Sequence, residues 1–67
     1  KMTMKDMKEK NMILFEQAVK NYNEYRTGDC KLISAFYNGI AEGILSSMLS
    51  SELIGIKEYS EMSHKII

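Results

Sequence analysis

Cys30 and His64 are the one cysteine and the one histidine of this 67-residue sequence, and they stand far apart along the chain. A cysteine becomes a useful nucleophile when it is held as the thiolate beside a base that a third group orients. Cys30 falls at the expected start of a helix, where the macrodipole favours a thiolate, but Asp29 beside it acts in the opposite sense. No second cysteine is present to resolve an oxidised form or to close a disulfide. His64 comes near the end of the last expected helix, where an imidazolium and the neighbouring Lys65 suit the helix dipole. It reads as a surface residue.

Carboxylates are the other candidates. Glu42, Glu52, Glu58 and Glu61 crowd the second half, but no His or Asp joins them at metal-ligand spacing. On helices they read as solvated faces. Phosphate-cradling glycine loops, nucleophile elbows and dinucleotide fingerprints are missing. The sequence therefore predicts no catalytic residue, no metal and no cofactor.

The elements that must carry these residues are bounded by length. Sixty-seven residues make a single small domain, 1–67, whose core is marginal without disulfides, metal or oligomerisation. One cysteine and one histidine remove the first two aids, so a partner is what remains. Apolar residues at 45% and charged residues at 27% give a globular balance. Nine basic side chains match nine acidic ones, which removes the usual electrostatic case for nucleic acid or an anionic membrane. The charge is unevenly placed: residues 1–31 hold seven basic against five acidic groups, and residues 32–67 hold two against four. Lys1 before Met2 reads as an expression remnant or cleavage product, with Met2 or Met4 as the start. No secretory signal is visible and the lone thiol suits a reducing compartment, so the cytoplasm is the expected location.

There is no proline, and two glycines punctuate the chain. Gly28 can take the left-handed conformation that ends a helix, with Asp29 capping the next one. Gly55 stands where a third helix would be capped. The expected fold is all-α: a helical hairpin of two long helices, about 4–26 and 30–52, plus a short third helix at about 56–65, completing a bundle by oligomerisation.

In the first helix Met4, Met7, Leu14, Phe15, Ala18, Tyr22 and Tyr25 follow helical spacing, with Asn11 interrupting the row. Asn11 and Asn21 fall at seam positions of a coiled-coil-like pairing, where a polar residue fixes register. In the second helix Ile33, Phe36, Tyr37, Ile40, Ala41, Ile44, Leu45 and Met48 cover nearly half the circumference. Beside them runs a ridge of small residues, Ala35, Gly39, Gly43, Ser46 or Ser47, and Ser50. Interior helical glycines cost about 1 kcal/mol each relative to alanine, a penalty that persists where another backbone comes close. A central helix contacted on two sides is expected. In the third, Ile56, Tyr59, Met62 or Ser63, and Ile66 share a face, as a lid folding back over the end of the hairpin would require. A helix so short must dock to persist.

The expected interface follows from these faces. On the first helix it comprises Met7, Asn11, Leu14, Ala18, Tyr22 and Tyr25. On the second it comprises Tyr37, Gly39, Gly43, Ser47 and Met48. Tyrosines and methionines suit such surfaces, one joining an apolar ring to a polar tip and the other filling irregular contacts.

The stretch Leu49–Met62 resembles the short C-terminal helical motif of SHOCT-type domains and the ends of small phage and mobile-element proteins. A helix closing in leucine-isoleucine, a capping residue and a new helix opening with glutamate and an aromatic carry the likeness. Gly55 stands where serine or threonine is commoner, and Lys57 replaces an acid. The resemblance implies a small accessory protein that oligomerises, and it carries no catalytic residue.

Together these features predict a non-enzymatic protein–protein interaction module, a homo-oligomer with a dimer favoured, regulating or bridging a larger protein. The alternative is a helix-turn-helix binder of nucleic acid, with Lys1, Lys5, Lys8 and Lys10 as a basic arm. Glu58 and Glu61 in its reading helix complement phosphate poorly. A membrane span over Leu32–Leu49 is disfavoured by Asn38 and Glu42 near its centre.

Overall fold

A computed structural model of the chain describes residues 1–28 and 30–66. It contains α1 (Met4–Arg26), α2 (Lys31–Ser50) and α3 (Ile56–Ser63), followed by a 3-10 turn at His64–Ile66, and no strand among the described residues. The expected all-α hairpin with a short third helix is what forms.

Local chemistry sets each boundary. Thr3 opens α1 with a reciprocal cap: its hydroxyl accepts from the Asp6 amide at 3.1 Å, and the Asp6 carboxylate accepts from the Thr3 amide at 3.2 Å. Asp6 in the first turn and Arg26 in the last both complement the dipole. At the other end Gly28 does not take the expected left-handed conformation; no described glycine has a positive φ. Thr27 closes the helix instead, its hydroxyl donating to the Asn23 and Glu24 carbonyls at 3.2 Å each. With those terminal carbonyls satisfied, a left-handed residue has nothing left to do. Asp29, the expected cap of α2, lies outside the described residues; Cys30 occupies the capping position without a side-chain cap bond.

α2 stops at Ser50, short of the expected 52. The left-handed residue of the chain is Glu52, with φ 61°. It lets the Leu53 amide donate to the Met48 carbonyl at 2.9 Å and the Glu52 amide to the Leu49 carbonyl at 3.1 Å, the paired bonds of a Schellman ending. Leu53 and Ile54 therefore lie in the turn rather than at the helix end. Gly55 does cap α3, in extended conformation, and its carbonyl accepts from the Tyr59 amide at 2.9 Å.

The core gathers Phe15 and Ala18 from α1, Ala41, Leu45 and Met48 from α2, then Ile54, Met62 and Ile66. Met12, Val19, Tyr22, Ile44 and Tyr59 pack around it, half-buried. α3 and the tail lie along one side of the hairpin and are tied to α1 by Lys8–Glu58 at 3.1 Å and Lys65–Glu16 at 3.8 Å. The third helix thus acts as a side cover. Ile56, expected on its buried face, is 78% exposed. As the first helical residue it projects past the end of the contact, and Ile54 in the preceding turn fills the core in its place.

The small ridge also differs from expectation. Ala35, Gly39, Gly43, Ser46, Ser47 and Ser50 are all exposed, and a Cβ added at Gly39 or Gly43 would meet nothing within 4 Å. α1 and α3 contact α2 on its other sides. Among the described residues no other helix comes that close to either glycine.

Candidate functional site: an uncovered apolar face

Helix geometry fixes which residues share each side of the hairpin. Successive residues turn by about 100°, so positions near the Phe15–Ala18 and Ala41–Leu45 rows face the partner helix and those roughly a quarter-turn away flank it. On the flank that carries α3, Val19 and Met12 are half-buried beneath the cover. Among the described residues none covers the opposite flank. It presents Met7, Leu14, Asn21 and Tyr25 from α1, and Ile33, Phe36, Tyr37, Ile40 and Ile44 from α2.

Leu14 is 44% exposed, Phe36 64% and neighbouring Leu32 82%. A shallow groove of about 270 Å³ runs between the helices, lined by Leu14, Gln17, Ala18, Asn21, Tyr37, Ile40 and Ile44. Towards the hairpin turn it ends in an aromatic cluster. Tyr25 and Tyr37 stack with centroids 5.8 Å apart and planes 8° apart, and Phe36 meets Tyr37 edge-on at 5.5 Å. Rings held against one another in this way present a large apolar area at little further cost in side-chain entropy. Lys10 and Glu24 stand at the margin of the face on α1, both exposed, and neither has an ion-pair partner among the described residues.

The surface area is consistent with an unfinished enclosure. The chain exposes 4857 Å², whereas a compact monomer of 7.7 kDa exposes about 4,300 Å² by the usual size scaling. The molecule is a plate, 41 × 25 × 13 Å between its outermost Cα atoms. A plate this thin leaves part of its apolar surface uncovered.

Of the residues expected at an interface, Met7, Leu14, Tyr25 and Tyr37 lie on this face, and Ser47, Gly43 and Gly39 continue it round the outside of α2. Ala18 and Met48 do not belong to it: they are 4% and 0% exposed, packed in the chain's own core. Helical spacing alone cannot separate an inward row from its flank, which explains the misplacement. Tyr22 is half-buried, and its carbonyl accepts from the Ser34 hydroxyl at 3.2 Å. Asn11 turns back on its own helix, its amide donating to the Met7 carbonyl at 2.8 Å. Phe36, Ile33, Ile40 and Leu32 add to the expected interface residues at this exposed surface. The available signal was the width of the apolar arc on α2, broader than one neighbouring helix can cover.

A second groove, of about 370 Å³, lies at the turn end between Tyr22, Arg26, Lys31, Ser34, Ala35 and Asn38. Within it the Ser34 hydroxyl serves the Tyr22 carbonyl, and the Arg26 guanidinium lies 5.5 Å from the Tyr22 ring centroid. Among the described residues no three His, Cys, Asp or Glu side chains gather as metal ligands would. Lys5, Lys8 and Lys10 belong to α1 rather than to a free arm, and Lys8 is paired with Glu58 of the would-be reading helix. By length and composition α2 could cross a membrane, a test that a soluble core helix also passes. Its outer side carries Glu42, Ser46, Ser47 and Ser50, all exposed.

No family model, curated protein or solved structure matches the chain.

Proposed function

We propose that this chain is a non-enzymatic protein–protein interaction module that self-associates and serves as a small stoichiometric regulator or adaptor of a larger protein. The uncovered flank of the hairpin carries the proposal. Its centre is free of charged side chains, it contains a pre-arranged aromatic cluster, and its margin is polar (Lys10, Gln17, Glu24), the layout of a protein–protein contact. Burying apolar surface is worth about 25 cal/mol per Å². A domain of this size has little stability to spare, so closing the flank strengthens the fold as well as the association.

Sedimentation velocity across the micromolar range tests the self-association. A dimer or larger assembly whose population rises with concentration, together with a melting temperature that rises in parallel, supports the proposal. A well-folded monomer throughout the range contradicts it.

A further inference from the structure

We infer that the flank is closed by a second copy of this chain, laid antiparallel about a two-fold axis that passes at the level of Gln17 and Ile40. The inference rests on the self-association proposed above and adds its geometry. Ser34 bonds to Tyr22 across the hairpin. About a turn and a half further along each helix, Gln17 and Ile40 line the same groove, so they stand at one height. That height is a centre of complementarity for both helices.

On α2, Phe36 and Tyr37 precede Ile40 by four and three residues, and Gly43 and Ile44 follow it by three and four; Ile33 and Ser47 stand seven away on either side. A two-fold axis at this level therefore sets the bulky turn end of one copy over the small end of the other. Phe36 and Tyr37 come down towards Gly43, and Ile33 towards Ser47. The space above Gly43 is open, and Phe36 is largely exposed and able to fill it. On α1, Lys10 and Glu24 each stand seven residues from Gln17. The same axis brings Lys10 of each copy beside Glu24 of the other, at both rims, and neither has an ion-pair partner among the described residues of its own chain. The alternative two-fold, parallel to the helices, sets α1 of one copy over α2 of the other at unchanged height, so Lys10 and Glu24 of the two copies stay 14 residues, about 21 Å, apart along the helix.

The area is sufficient. Two helices side by side span about 20 Å, and the 20-residue α2 runs about 30 Å. The footprint is thus about 600 Å² per copy, reaching the lower bound of about 1,200 Å² in total for a stable interface.

Gly43→Leu and charge exchange at the rim test the arrangement. The isolated chain has room for a side chain at residue 43, and leucine is the better helix former, so Gly43→Leu remains helical by circular dichroism. The expected result is a dissociation constant at least about tenfold weaker by sedimentation. Lys10→Glu and Glu24→Lys each weaken the dimer, and the doubly exchanged chain recovers it. A wild-type dimer that Gly43→Leu and the single charge variants leave intact overturns the geometry while self-association stands. A wild-type chain that stays monomeric overturns both, as does a monomer that instead floats with phosphatidylcholine vesicles.

Discussion

The Ser34 hydroxyl donates to the Tyr22 carbonyl at 3.2 Å, and Ser34 is the one buried polar side chain among the described residues. The bond joins α2 to α1 near the turn and sets which residues of the two helices stand level. Because the Tyr22 carbonyl lies within α1, it keeps its place in the helical ladder if the hydroxyl is lost. Ser34→Ala is therefore expected to cost about 1 kcal/mol, the usual net value of such a bond, without stranding a buried group. Urea unfolding at fixed protein concentration measures it; a cost above about 3 kcal/mol would mean that the serine does more than hold register.

Glu52 offers a gain. A side chain in the left-handed region costs about 1 kcal/mol relative to glycine, and Glu52 sits there at the end of α2. Glu52→Gly is expected to raise stability by about that amount and the melting temperature by roughly 4–8 °C. A lower melting temperature would show that the flexibility glycine adds to the unfolded chain outweighs the relieved strain.

Phe15 lies at the centre of the core with no exposed surface. Truncating a buried phenylalanine to alanine costs about 3–5 kcal/mol. A chain of this length commands only about 3–10 kcal/mol in all. Phe15→Ala is expected to abolish the cooperative thermal transition, whereas Ile13→Ala, at a site 60% exposed, should change stability by no more than about 0.5 kcal/mol. Circular dichroism melts of the two variants decide the matter, and a sharp transition in Phe15→Ala would contradict the core as described.

The Lys8–Glu58 pair joins α3 to α1 across the sequence, with both side chains more than a third exposed. Solvent and salt screen such a pair, so a double-mutant cycle with Lys8→Ala and Glu58→Ala should return a coupling below about 1 kcal/mol. A larger coupling would mean that the ion pair, rather than the burial of Met62 and Ile66, holds the cover in place.

Much of this fold is written locally. Apolar residues at helical spacing define three helices because that period is a property of the backbone itself, and Gly55 marks the third because a residue before a helix needs only an extended conformation. The capping pair Thr3–Asp6 is equally local and could have been read from the sequence. The left-handed residue was not legible. Gly28 is the better candidate by type, yet Thr27 ends α1 without it, and the bend falls at Glu52, two residues before Ile54 enters the core. The same dependence places Ile54 inside and Ile56 outside. It also separates Ala18 and Met48, which are packed in the core, from Leu14 and Phe36, which stay exposed. Periodicity assigns a residue to a helix face; which face meets protein and which is left open depends on the docking of α3 on one flank alone, and that is settled by packing among residues distant in sequence.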